Sequence, residues 1–186
     1  MATSIPYNVV VPQNLSQPST SMTVSQNTIN LSDEIKHQVV VGIGLMNVLV
    51  PVLKKYIDHK LKKLHEDLVK TQFKEDPKQK IGSIVQQYRR GSVITDHNEL
   101  AKLFLESHMA KFNKITDDHF DASAVLNILG RAACFSKEEK KISNKIRADV
   151  RNKWAHCNYT EWTHIKYMNS FQLMQNLVNL LPEPEE

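Results

Sequence analysis

The sequence predicts an all-α fold: an antiparallel bundle of about five to six helices behind a polar N-terminal leader. Apolar residues recur at spacings of three and four, the period of one helix face. Helix-starting residues stand directly before several of these runs, as at Ser32 and Ser136. Only five glycines occur in 186 residues, too few for an all-β fold built on tight turns.

Residues 1–31 are rich in Ser, Thr, Asn, Gln and Pro and carry no charge, with Val9-Val10-Val11 the one apolar cluster. Such a segment buries too little to offset its ordering entropy and is read as a disordered leader. Order is expected from Ser32, an N-cap followed by Asp33 and Glu34, whose charges suit a helix N-terminus. The bundle is placed at residues 32–182, with an acidic tail at 183–186. Val39–Leu53 is an uncharged run of fifteen residues, shorter than the roughly 20 that span a bilayer. It is read as a buried core helix, kinked or divided near Pro51. Leu53, Ile57, Leu61, Leu64 and Leu68 continue as one apolar stripe, with Lys54, Lys55, Lys60, Lys62, Lys63 and Lys70 on the other sides as a solvated face.

Lys74–Thr95 lacks a clean period and reads as a loop, with one short helix around Ile84–Arg89. A helix over His97–Asn113 carries Leu100, Leu103, Phe104 and Phe112. Thr116 is expected to cap the next one, Asp117 and Asp118 to open it, and Gly130 to stand near its end. Ser136 and Glu139 have the spacing of a capping box. Thr160 is expected to open a last helix, stopped by Pro182, with Ile165, Phe171, Met174, Leu177, Val178 and Leu181 inward. No internal repeat is found.

A net charge of +4 and a pI near 9.0 permit an anionic partner without requiring one. Cys134 and Cys157 are too few for a disulfide framework, and the polar start has no secretory core, so a cytoplasmic protein is expected. Three tripeptides of the glycosylation type (at Asn14, Asn30 and Asn158) then carry no meaning. Gly42 and Gly44 do not extend into a dinucleotide fingerprint, because Asn47 stands where a third glycine is needed. Cys134, Cys157, His156 and His164 lack paired zinc-ligand spacing, so neither a metal nor a cofactor is expected. Cys157 is read as a small packed residue rather than a nucleophile. No phosphate loop, serine elbow or paired carboxylate site is found.

One stretch points to chemistry: Arg151-Asn152-Lys153-Trp154-Ala155-His156. Arginine can clamp a phosphate with two parallel hydrogen bonds, and histidine moves protons near neutral pH. Spacing alone decides nothing, since Arg90 and His97 form a similar pair; Arg151, however, lies in the second half of a well-capped helix. Ile142, Ile146, Val150 and Trp154 share the arc assigned to the core, which leaves Arg151 and His156 on the outer side. Asn152 precedes His156 by four residues, within reach of it. Ala148 and Ala155, small and outward, would let a second copy approach closely, which predicts a two-fold dimer with a shared cleft.

Arg151-Asn152 followed by His156, closing the penultimate helix of a bundle, resembles the signature of the HEPN superfamily. Asp149–Leu181, with Trp154, Cys157, Trp162 and Phe171, is similar to animal HEPN-like domains, some joined to ubiquitin ligases or to NTPase receptors of innate immunity. The resemblance covers residues 32–182, and its specific part is the six-residue motif. It implies a homodimeric, metal-independent endoribonuclease with Arg151, Asn152 and His156 as catalytic residues. The short apolar run leads to no membrane association being expected, with attachment of residues 39–70 to a membrane surface as a minor alternative. Arg147 and Lys153 are expected to bind the RNA. The resemblance equally admits a non-catalytic adaptor that recruits protein partners in a defence or ubiquitin pathway, because fold similarity does not fix chemistry.

Overall fold

A computed structural model describes residues 30–72, 94–118 and 120–182. The leader, the helix expected around Ile84–Arg89 and the acidic tail lie outside the described residues, apart from the leader's last two positions. Ser32 caps the first helix as expected, its hydroxyl accepting from the Ile35 N–H. That helix, α1 (Asp33–Ile43), passes through one π-helical turn, Gly44–Leu49, into α2 (Val50–Gln72) without a break.

The wide turn has a cause in the sequence. Val41, Leu45, Leu49, Leu53, Ile57 and Leu61 are all buried and all four residues apart. An α-helix turns in about 3.6 residues, so a strict four-residue column drifts around it unless one turn is widened. Here the Val50 N–H reaches back five residues to the Leu45 carbonyl and resets the phase. Pro51 follows directly, so the chain is not divided there. The expectation of a wholly buried stretch is corrected: Val39, Val40, Ile43, Val48 and Val52 face outward.

The helix expected over His97–Asn113 is only α3 (His97–Lys102), capped by Asp96. Beyond it the backbone closes turns instead, the N–H groups of Leu103, Phe104, Leu105 and Met109 bonding carbonyls three residues back, and side chains hold the segment that follows. Asn98 Oδ1 accepts from the Ile115 N–H, and Asp117 Oδ2 from those of Asn113 and Lys114. Phe104, Phe112 and Phe120 are nevertheless buried from these turns. Consequently α4 (Ala122–Arg131) starts later than expected, with Asp121 rather than Thr116 as its cap.

The capping box holds: Ser136 and Glu139 exchange both hydrogen bonds at the start of α5 (Lys137–Ile146). A second π-turn, Arg147–Arg151, leads into the short α6 (Asn152–Ala155). A 3₁₀ turn, Tyr159–Glu161, and the fully buried Trp162 precede α7 (His164–Val178). This last helix therefore opens at Thr163 and not at Thr160. Met174 and Leu177 are buried as expected, but Ile165 and Val178 point outward.

The result is an all-α bundle with one core drawn from α1 to α5 and α7. Two glycines seat the motif end of it. A Cβ at Gly42 would collide with Trp154 Nε1 and stand 2.7 Å from Cε2; one at Gly44 would stand 2.9 Å from Phe171 Cε1. The role of Gly42 and Gly44 is close approach, α1 to the motif helix and the π-turn to α7.

Candidate functional site

The second π-turn sorts the motif helix into four straight columns. Ile142, Ile146, Val150 and Trp154 form the inward column; Ile146 and Val150 are buried and the other two pack against the core. The Asn152 N–H reaches the Arg147 carbonyl five residues back, which keeps four-residue spacings aligned through the motif. The other columns are Arg147 with Arg151, Ala148 with Asn152 and His156, and Lys145 with Asp149 and Lys153.

The first of these columns faces α4. Arg147 Nη1 donates to Asn127 Oδ1 at 2.8 Å, and its Nε is buried with no acceptor among the described residues. Asn127, itself buried, donates back to the Ser123 carbonyl. Arg147, expected to bind RNA, is thus engaged in joining α5 to α4. Arg151 reaches the end of α4: its Nη2 lies 3.8 Å from Asp121 Oδ2, and its Nη1 donates to Asn152 Oδ1 at 3.3 Å. Its side chain keeps 30% of its exposure, enough to meet a ligand.

The second column is the outer face. Ala148 and His156 are exposed and Asn152 is half-exposed in it, and Ala155, next after Arg151 in the neighbouring column, is exposed beside them, so small and polar groups alone are presented there. Asn152 pairs with Arg151 rather than with His156. The His156 ring has no polar partner among the described residues. It stands past the last helical turn, where its backbone N–H bonds the Asn152 carbonyl. Cys157 follows with φ of 52°, left-handed and exposed, so it stops the helix and is not the packed residue expected.

The third column faces α7. Lys153 Nζ lies 3.4 Å and Lys166 Nζ 3.5 Å from the same Glu161 Oε2. An open groove of about 700 Å³ runs between this column and α7. Asp149, Val150, Lys166, Asn169 and Leu173 are among its lining residues, whereas Arg151, Asn152 and His156 are not. The motif residues Arg151, Asn152 and His156 therefore lie beside this groove and not in it.

Elsewhere the titratable groups are structural. Glu139 links α5 to α2: Tyr56 donates to its Oε1 at 2.6 Å and the Ser136 N–H to its Oε2 at 2.7 Å. Burial pushes this carboxyl up, but the hydrogen bonds from Tyr56 and Ser136 and the nearby Lys60 hold it below its ordinary value. Burial pushes the Cys134 thiol up to about 11, which makes it a poor nucleophile. Among the described residues no group of three His, Cys, Asp or Glu side chains could hold a metal ion. Comparison of the chain with known protein families, with curated proteins and with solved structures finds no match.

Proposed function

We propose that this chain is an RNA-directed domain of the HEPN type that acts as a homodimer, with Arg151, Asn152 and His156 of both copies over one cleft. The observation that carries this reading is the outer column of the motif helix. Ala148, Asn152, Ala155 and His156 are uncovered together, and the Arg151 guanidinium is half-exposed beside them. Small residues permit two such helices to approach closely about a two-fold axis. Arg151, Asn152 and His156 do not line the groove beside α7, and a second copy would complete the site over them.

In such a cleft a ribose 2′-hydroxyl attacks the adjacent phosphorus and the bond to the 5′-oxygen breaks, leaving a 2′,3′-cyclic phosphate. His156, whose ring has no polar partner among the described residues, removes the hydroxyl proton or supplies one to the leaving oxygen. Arg151 stabilises the charge gathering on the phosphoryl oxygens. Asn152 positions the guanidinium through its carbonyl oxygen. Lys153 is exposed and meets Glu161 only at the surface, so it can exchange that partner for a phosphate.

One observation favours a second reading, a non-catalytic adaptor: Asp121 lies against Arg151 and competes with any phosphate for it. The deciding experiment incubates the full chain with single-stranded RNA in excess chelator, beside Arg151→Ala and His156→Ala. Cleavage by the parent, reduced about 10²- to 10⁴-fold in either variant, is the expected result. No cleavage by the parent, or equal cleavage by all three, leaves the adaptor.

A further inference from the structure

Independently of the nuclease reading, we propose that the outer face of the long α1–α2 helix is a docking surface for an anionic lipid bilayer. The stretch Val39–Leu53 is only half absorbed by the core. Val39, Ile43, Val48 and Val52 stand 50, 51, 62 and 42% exposed, all on the side opposite Val41, Leu45, Leu49 and Leu53. With Val40 they make an apolar row roughly 20 Å long, at about 1.5 Å per residue, with no partner among the described residues.

What fits this row is set by the rest of the helix. Along the same outer side, Lys55, Lys62, Lys63 and Lys70 follow the valines and are exposed. Glu66 and Asp67 are the acidic groups of that stretch; Asp58 is half-buried and paired with His97 at 3.0 Å. Laid along an anionic membrane surface, such a face lets the valines enter the boundary between acyl chains and headgroups, while the long lysine side chains further along reach the headgroup phosphates. By length and composition Asp33–Lys70 could even cross a membrane, and only 39% of its most apolar window is buried. Its inward face is committed to the core, however, so it lies along the surface rather than through it. A second copy would meet the same valines, but the acidic groups of α1 that could face its lysines are Asp33 and Glu34, and Asp33 is already paired with Lys36 at 3.0 Å.

The experiment is co-sedimentation of the full chain with phosphatidylcholine vesicles, with and without phosphatidylserine, at low and high salt. Ile43→Ser with Val48→Ser removes the apolar half. Lys55→Gln, Lys62→Gln and Lys63→Gln remove the basic half. All five side chains are exposed, so the thermal transition should not move. The parent should bind the phosphatidylserine vesicles, more weakly at high salt, and each variant set should lower binding about tenfold or more. No binding by the parent overturns the proposal, as does binding that either variant set leaves unchanged. Loss of a dimer in the Ile43/Val48 variant, without vesicle binding by the parent, assigns the face to a second copy and also overturns it. RNA cleavage measured on the same variants separates this outcome from failure of the nuclease reading, because none of them touches the motif.

Discussion

Both long helical segments of this bundle contain one π-turn, and the two serve different ends. In the α1–α2 helix the wide turn keeps a buried column straight from Val41 to Leu61 and gathers what is left, four valines and one isoleucine, on the outside. In the motif helix it keeps Val150 and Trp154 inward while dividing the polar residues between three sides. One turn resolves a packing problem; the other decides which charged groups are free. An outer face follows in each case from what the core takes first.

The two segments meet at Gly42, where the Trp154 ring occupies the space of a side chain. Gly42→Val therefore gives the largest expected effect on stability. A helical glycine replaced by a larger residue would ordinarily gain a few tenths of a kcal/mol, but the ring is backed by the core and cannot retreat. We expect a loss of about 3 kcal/mol in urea denaturation. The substitution should also disturb the motif, because Gln38 holds the Trp154 carbonyl at 2.9 Å just before the helix end. An unchanged midpoint would separate the two segments and break the comparison.

The next effect lies at the other join, where Tyr56 of α2 meets Glu139 of α5. A carboxyl whose folded value is depressed contributes stability that is present above its unfolded value, near 4.5, and is lost as pH falls through the folded value. The chain should therefore lose stability progressively on acidification below about pH 4.5. Glu139→Gln should cost about 2 kcal/mol at neutral pH, since a hydrogen bond to a charged group and half of a capping box are lost. It should also flatten the acid limb of the stability–pH curve. An acid limb as steep as the parent's would assign it to other carboxylates.

How much of this was legible depends on how local each cause is. The capping box at Ser136 and the stripe Leu53, Ile57 and Leu61 were legible because each is written within one helix. The helix over Leu103–Asn113 was not: its backbone closes three-residue turns, and Asn98 and Asp117 hold the N–H groups of Asn113, Lys114 and Ile115 just beyond, which nothing in local propensity shows. Trp162 is the largest fully buried side chain, yet it falls between two helices, where no period marks it. Ile165 has an apolar side chain at a helical spacing and is outside all the same. The π-turns did leave a signal. Six apolar residues at strict intervals of four, Val41 to Leu61, exceed what an α-helix can keep on one face, and Ile142 to Trp154 repeat the pattern. For the candidate site, His156 stands on the outer side that the wheel gave it, whereas Arg151 is half-buried on the flank toward α4. The partner of Asn152 did not, and neither did the distinction between Arg147 and Arg151.

That distinction gives the smallest expected effect and the sharpest test of how the second π-turn divides its charges. Both arginines are half-buried, one turn apart, on the flank toward α4. Arg147 donates at 2.8 Å to a buried amide, which without it would keep a desolvated acceptor. Arg151 donates at 3.3 Å to an exposed-side amide and lies 3.8 Å from a half-exposed carboxylate, neither of which loses hydration when it leaves. Arg147→Met should thus cost about 1 kcal/mol, net of the unpaired Nε that it removes. Arg151→Met should stay within about 0.5 kcal/mol of the parent. If the proposed cleft is correct, the order reverses for RNA: Arg151→Met should weaken binding or cleavage and Arg147→Met should not. Equal costs in denaturation would mean that both guanidinium groups are structural, leaving Lys153 as the cation that this chain could offer beside His156.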